Sequence, residues 1–559
     1  MKPSTLPRQL ALIALFSTVV VLTGCVSVRS AGPPARVVVA SQPLSVDARP
    51  CTNTFVPHRL PHISRSASST YRSITMGAGV ALADLNDDGL IDIILAGQLA
   101  PATLLWNQGG LRFRSETLEA DNTRAVNALD VDGDGRVDLV FTHSVNRPSF
   151  WRANGSRAQP AFHRIPENEF IESFFPFAIA WADLDEDGDL DMVGASYENE
   201  LATLALDKRA GKGVIHFTNT GGALKAFLLA SHSHSLAILL TDLDADGRRD
   251  ILVGNDFDLP DAIFLNKPEG WISASLFART TANTMSFAEG DTDNDGSFEI
   301  FATDMKPYQA DPVWTPLLTG PGALQPNDGV QFLTNTLQFR SKENPSVFTD
   351  RGEERGVDAT GWSWSVQFGD LDNDGALDLY VVNGMMHSGV FQHLAGYELV
   401  EENQALRNDG TGHFAPAQEW GLGATESGRG MSFADLDNDG DLDIVINNID
   451  KPSVLFENRL CGGPALEVEL HWEGSPNHRA IGAQLQLQTS QGNFYREMRL
   501  SSGYLSSLPA RVHFGLGKST ELQQLKVIWP DGRGSLIERP PLGTLLQVRR
   551  PLSSAQYHE

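Results

Sequence analysis

An acidic nine-residue phrase, Asp-x-Asp-x-Asp-Gly-x-x-Asp, recurs seven times in this 559-residue chain. The first three copies place oxygen donors at Asp84, Asn86, Asp88 and Asp92; at Asp130, Asp132, Asp134 and Asp138; and at Asp183, Asp185, Asp187 and Asp191. Two more supply Asp242, Asp244, Asp246 and Asp250, then Asp291, Asp293, Asp295 and Glu299. The last two supply Asp370, Asp372, Asp374 and Asp378, then Asp435, Asp437, Asp439 and Asp443. Alternate side chains in so short a segment converge on one point only if the backbone turns tightly around it. The Gly at the sixth position of every copy permits that turn by tolerating positive φ. Hard carboxylate oxygens at positions 1, 3, 5 and 9, with a backbone carbonyl expected at 7, suit Ca²⁺ better than a metal that prefers nitrogen or sulfur. The expectation is up to about seven structural Ca²⁺ ions.

The charge agrees with that assignment. Three carboxylates in the first loop and four in each of the others account for 27 of the 70 acidic residues. The remaining 43 equal the 43 Lys and Arg, so the formal net charge of −27 resides in the loops. No basic stripe with interleaved aromatics is present, which argues against nucleic acid as a partner.

Two other features bear on location. Met1-Lys2 and Arg8 precede an apolar run from Leu10 to Leu22, too short to span a bilayer and typical of a secretory signal. The run ends in Leu22-Thr23-Gly24-Cys25, which resembles a bacterial lipoprotein signal, with Cys25 as the lipid-bearing residue. That resemblance implies export and an outer-membrane or cell-surface address, lipid-anchored at Cys25. Cys51 and Cys461 remain, flanking the repeats, and in an exported chain they form a candidate disulfide or stay as two thiols.

Elements that could position the loops follow from the pattern around them. Residues 1–25 read as signal peptide and 26–69, rich in Pro, Ser, Ala and Arg, as a tether, with a docked strand near Val37 to Val39 as the alternative. Residues 70–460 form the repeat array, in which each loop lies between two short apolar, β-branched segments such as Leu90 to Leu95. A second phrase follows downstream, pairing an apolar residue with Asn and Gly before an aromatic, as in Leu105 to Phe113 and Leu406 to Phe414. It reads as a hairpin, giving about four strands per repeat and hence one propeller blade. The fold class is therefore all-β: a seven-bladed propeller with calcium-binding blade loops, followed by a small β domain at 461–550 and a tail at 551–559.

The loops resemble the calcium-binding FG-GAP and VCBS repeats of integrin α-subunit propellers and bacterial surface proteins. Residues 476–483 (PNHRAIGA), 501–507 (SSGYLSS), 512–517 (VHFGLG) and 527–533 (VIWPDGR) resemble the ASPIC/UnbV domain. Together they resemble the cartilage acidic protein family and its bacterial relatives. The resemblance implies a calcium-stabilised recognition platform, without an established general catalytic activity. Asn86 and Glu299 depart from the loop pattern, and weaker metal binding is expected at both loops.

A catalytic constellation does not emerge. Ser231 to Ser235 alternates hydroxyls with His232 and His234, but neighbours along a strand point to opposite faces. Met385-Met386-His387 reads as packing, and Asp256, Asp258 and Asp261 read as an acidic turn. No zinc spacing, phosphate-cradling loop or Gly-x-Ser-x-Gly elbow is found. The function expected is a recognition, adhesion or scaffold module for an unidentified protein or glycan surface ligand. The alternatives are a secreted polysaccharide-acting enzyme with its site on one propeller face and a structural subunit of a surface complex.

Overall fold

The computed structural model describes residues 34–45, 50–66, 75–144, 146–166, 174–198, 212–256, 259–309, 330–387, 391, 393–518 and 521–552. The signal segment with Cys25, Asp258, and nearly all of the insertion between the fifth and sixth loops lie outside them. No helix among the described residues is long and apolar enough to cross a membrane.

The structure is nearly all-β, and its sheets follow the repeat. In the first repeat Val80–Ala83, Asp92–Leu95, Pro101–Asn107 and Phe113–Asp121 pair antiparallel in that order. The same order of four strands recurs around each later acidic loop, giving seven such units among the described residues. The first strand of each unit touches the first strand of the next, and that of the seventh touches that of the first. Burial follows position: Val80–Ala83 and Asp92–Leu95 are buried throughout, whereas the fourth strand, Phe113–Asp121, is mostly exposed. First and second strands are covered by sheets on both sides, so they carry near-continuous apolar runs.

The seventh unit borrows its outer strand. Gly428–Ala434, Asp443–Asn448 and Val454–Glu457 are joined by Val56–Arg59 from the other end of the chain. Just beside this join Cys51 and Cys461 form a disulfide across 410 residues of sequence. The segment 26–69 is therefore more than a tether. Val38–Pro43 also adds an edge strand to the C-terminal domain by pairing with Thr544–Arg550. Its low apolar periodicity hid Val56–Arg59 and left the other strand only as an alternative near Val37 to Val39, because each is an edge strand with mostly exposed side chains.

The C-terminal domain is two four-stranded sheets. One contains Val38–Pro43, Thr544–Arg550, Ala465–Trp472 and Val512–Gly515; the other contains Asn493–Glu497, Gln484–Thr489, Leu522–Ile528 and Gly534–Glu538. It does not hang from the repeats on a linker. Residues Ser501 to Ser507 leave it and enter the ring, where Ala81 pairs in parallel with Ser507. Along this insert Val80 and Met431 donate their N–H groups to Ser506 Oγ, Val126 donates to the Leu505 carbonyl, and Gly503 donates to the Phe287 carbonyl. Tyr504 at its tip is fully buried. The insert thus fills the axis by answering backbone donors and acceptors of first strands that face no neighbour there. The approach is close enough that a Cβ on Gly79 would fall 1.7 Å from the Leu505 carbonyl oxygen.

Candidate metal centres

Each acidic loop joins the first and second strands of its unit, so all lie at one end of the ring. Their glycines have φ between 82° and 99°, the conformation that the sixth position requires. The fourth position is left-handed too, at Asp87, Gly133, Glu186, Ala245, Asn294, Asn373 and Asn438. That second demand leaves no single-residue signature in the sequence.

The first-position carboxylate organises the turn. Asp84 Oδ1 accepts the N–H of Asp88 at 3.1 Å, and Oδ2 accepts that of Gly89 at 2.8 Å. Asp130, Asp242, Asp291, Asp370 and Asp435 repeat both bonds. The ninth-position carboxylate ties the loop to the sheet. Asp92 Oδ2 accepts the N–H of Leu85 at 3.1 Å, while Oδ1 accepts that of Asn107 on the third strand at 2.7 Å. Asp191, Asp250, Asp378 and Asp443 do the same toward Asn219, Asn266, Asn408 and Asn458. In the fifth loop Glu299 Oε2 instead accepts both the N–H and the hydroxyl of Thr292.

Oxygens remain for a cation. One donor atom from each of Asp130, Asp132 and Asp138 lies within 4.8 Å of the others, and so do those of Asp183, Asp185 and Asp191. The same holds for Asp242, Asp244 and Asp246, for Asp291, Asp293 and Asp295, and for Asp370, Asp372 and Asp374. Buried Oδ1 atoms of Asp183, Asp244, Asp293 and Asp372 have no hydrogen-bond partner. Burial pushes Asp92, Asp138 and Asp250 up to about 7 and Asp370 up to about 8. Grouped, desolvated carboxylates with unanswered oxygens suit a hard divalent cation, whose charge would offset the repulsion among them.

The asparagines of the second phrase do more than turn a hairpin. Asn219 Nδ2 donates to the carbonyl of Leu190 in its own loop at 3.1 Å and to that of Val131 in the preceding loop at 2.9 Å. Asn107, Asn408 and Asn458 make the same double donation, and Asn266 reaches back to Leu184. In the fifth unit Arg340 takes this place, donating to the carbonyls of Asp242 and Leu243. Six of the seven loops are thereby clamped to the preceding one, and in the second unit Ala153 stands at this place. The recurrence of Asn in that phrase was the available signal.

The C-terminal domain lies across the loop end and reaches all seven loops. Arg479 Nη2 is 3.0 Å from Asp87 Oδ1, and His478 Nδ1 is 2.9 Å from Asp130 Oδ2, which raises the imidazole above its ordinary pKa. Asn477 donates its N–H to the Gly188 carbonyl, and Arg249 beside the fourth loop pairs with Glu497 at 2.8 Å. The Tyr495 ring covers Gly296, and the Phe494 ring covers Gly375. His513 Nε2 lies 3.2 Å from the Gly440 carbonyl, and Arg511 donates to Asn438. Two of the phrases noted above, 476–483 and 512–517, therefore supply much of this contact, and the third, 501–507, is the axial insert.

Sequence models agree with this division. The FG-GAP-like repeat matches residues 84–141, 130–194 and 394–446, and the ASPIC and UnbV model matches 473–555. Three stretches of the chain thus match the FG-GAP-like repeat and one C-terminal stretch matches the ASPIC and UnbV domain. Cartilage acidic protein 1 of Xenopus tropicalis is 25% identical over 507 residues, covering 81% of this chain and 70% of the relative. That of Mus musculus is 24% identical over 522 residues, with the same two shares. Among solved structures, Saccharomyces cerevisiae Sqt1 superposes with a TM-score of 0.39 at 11% identity, over 71% of this chain and 99% of that one.

The remaining sequence candidates that are described sit in hydrogen-bond or packing positions. Ser233 Oγ donates to Asn255 Oδ1, and His232 faces Glu198 at 3.4 Å. Asp261 accepts the Asn255 N–H and the Thr284 hydroxyl, and Asp256 accepts the Tyr197 hydroxyl. Met385 is buried in the core.

Proposed function

We propose that this protein is an exported, lipid-anchored, calcium-stabilised seven-bladed propeller that serves as a recognition, adhesion or scaffold module for a protein or glycan. The observation that carries the reading is the covering of every acidic loop by the ASPIC/UnbV domain. Ca²⁺ would be held by positions 1, 3, 5 and 9 of the loops and would supply charge compensation there, beneath that cover. It would act as a stiffener of the ring, away from the ligand.

The ligand surface then falls at the other end of the ring, on the connections between second and third strands. Their described residues include 96–100, 146–148, 259–261 and 393–403. Four exposed large apolar side chains, Leu99, Val330, Tyr397 and Val400, belong to connections at that end. Exposed apolar groups on a rigid scaffold are what a binding face offers. A lipid at Cys25 also fits this orientation. Only 13 residues separate it from Val38, which pairs with the C-terminal domain, so the reach to the membrane is at most about 45 Å. The membrane would lie on the ASPIC/UnbV side and the open face would point outward.

The test is binding of the full mature chain to glycan and surface-protein arrays, in calcium and in EDTA. The expected result is a defined ligand class bound in calcium and lost on substituting Tyr397 and Val400 by Ser. Binding that survives those changes but fails on substituting exposed residues of the ASPIC/UnbV domain would overturn the assignment of the face.

A further inference from the structure

Basic side chains lie on donor-position carboxylates of the second, fourth, fifth and sixth acidic loops, and Lys267 of the fourth is the least exposed of them, at 22% against 41% for Arg152, 78% for Lys342 and 50% for Arg407. Lys267 Nζ pairs with Asp244 Oδ2 and lies 2.7 Å from Asp246 Oδ2, bridging the third and fifth positions of the loop. Asp244 is 8% exposed at its side chain, whereas Lys267 and Asp246 keep 22% and 31%. The ammonium is held in place by the sheet. Its backbone pairs with Gly270 in the hairpin, and the preceding Asn266 is fixed by the Leu184 carbonyl and the Asp250 carboxylate. At the corresponding position the other asparagine-bearing units carry Gln108, Thr220, Asp409 and Arg459, the last donating instead to the Pro50 carbonyl.

Two further cations belong to the same loop. Arg248 occupies the seventh position, where the third loop has Asp189. Arg340 donates to the backbone carbonyls of Asp242 and Leu243. The third loop is the opposite case. Among the described residues no Lys or Arg forms an ion pair with Asp183, Asp185, Asp187, Asp189 or Asp191, although Arg248 reaches Glu186 at the fourth position of that loop at 3.6 Å; buried Oδ1 atoms of Asp183 and Asp189 have no partner, as is true also of Asp244 Oδ1 in the fourth loop. Arg407 also touches two carboxylates of the sixth loop, but half of its side chain is exposed, against 22% for Lys267. Its side chain is the more exposed of the two.

We infer that Lys267 is the resident cation of the fourth loop and that this loop carries no Ca²⁺, while the third loop does. The inference rests on the calcium reading above. Physically, an ammonium in hydrogen-bond contact with two of the four donor groups already neutralises them. A divalent ion entering the loop would meet that positive charge within a few ångströms in a partly desolvated site. Lysine is suited to this role because its compact charge substitutes for a metal ion better than a planar guanidinium does.

The experiment counts Ca²⁺ bound to the full chain by native mass spectrometry, with circular dichroism to confirm folding. The wild type is compared with Asp185→Asn, Asp246→Asn, Lys267→Met and Lys267→Gln. Loss of one ion in Asp185→Asn, none in Asp246→Asn, and gain of one in both Lys267 variants is the expected pattern. Loss of an ion in Asp246→Asn, or an unchanged count in folded Lys267 variants, would overturn the inference alone. A wild type that holds no Ca²⁺ at millimolar concentration would overturn the calcium reading together with it.

Discussion

The hydroxyl of Tyr504, from the ASPIC/UnbV domain, donates to the carbonyl of Met76 at 3.0 Å, across 428 residues of sequence and inside the ring of repeats. Met76 belongs to the stretch that leads into the first repeat strand, so the two ends of the folded chain meet on the axis. The same tyrosine donates its N–H to Ser365 Oγ and packs against Trp364 and Phe177, residues of the sixth and third units. Ring and C-terminal domain therefore share one core and are expected to unfold together.

Replacing Tyr504 tests that union. Tyr504→Phe removes one hydrogen bond and should cost about 1 kcal/mol. Tyr504→Ala also leaves a cavity and should cost about 3–5 kcal/mol. Urea titration followed by tryptophan fluorescence measures both. Two separate transitions in the wild type would refute the shared core.

The asparagine clamps should behave as individual rivets. Asn219→Ala strands two buried carbonyls and should destabilise by about 1–3 kcal/mol. Asn154→Ala, at an exposed position of the second unit, should change stability by no more than about 0.5 kcal/mol. Equal effects in thermal melts would show that the clamp has no special weight.

Calcium should stabilise through the sixth loop. Substituting Asp372 and Asp374 together by Ala is expected to lower the melting temperature in calcium. At a free concentration of ten times Kd the loss of one site removes about 1.4 kcal/mol of linkage. In EDTA the same variant should melt no lower than the wild type. An unchanged melt in calcium would remove this loop from the metal sites.

Without metal, stability should fall as pH rises. Burial raises Asp92, Asp138 and Asp250 from 3.8 to about 7 and Asp370 to about 8, so folding favours their protonated forms. Their contribution is fully present below about pH 4 and is lost as the pH climbs through 7 to 8. In EDTA the melting temperature should therefore be lower at pH 8 than at pH 5.5, by about 1 °C for each kcal/mol lost in a cooperative unit of this size. Calcium should abolish or reverse the trend, because it binds the ionised carboxylates. An EDTA series that rises with pH would contradict this account.

The disulfide should act at the seam. Cys51→Ser removes the bond that holds residue 51 beside Cys461, next to the borrowed strand Val56–Arg59. A cost of about 2–4 kcal/mol is expected, read from denaturant midpoints of the variant and of the reduced wild type. Identical midpoints with and without the bond would show that the strand pairing alone closes the seventh unit.

Much of this was legible without coordinates, for a local reason. A loop such as Asp84 to Asp92 contains its own ligands, its own glycine and the start of the strand that follows, so nine residues state both geometry and chemistry. Repetition then indicated an all-β repeat architecture, and the four ASPIC/UnbV phrases marked the domain at the end. Most of what contact between distant segments sets was hidden, apart from the candidate pairing of Cys51 with Cys461 and the alternative of a docked strand near Val37 to Val39. Val38–Pro43 and Val56–Arg59 are edge strands with exposed side chains, and only their partners at Thr544–Arg550 and Val454–Glu457 make them strands. Lys267 is an unremarkable hairpin lysine until the sheet register brings it onto Asp244 and Asp246. Ser501 to Ser507 reads as a polar turn with one tyrosine, yet its backbone answers donors on Val80, Val126 and Met431. A carboxylate loop is specified by neighbours in sequence; an axial insert is specified by which unanswered backbone groups the closed ring presents to it, and those exist only once the ring has formed.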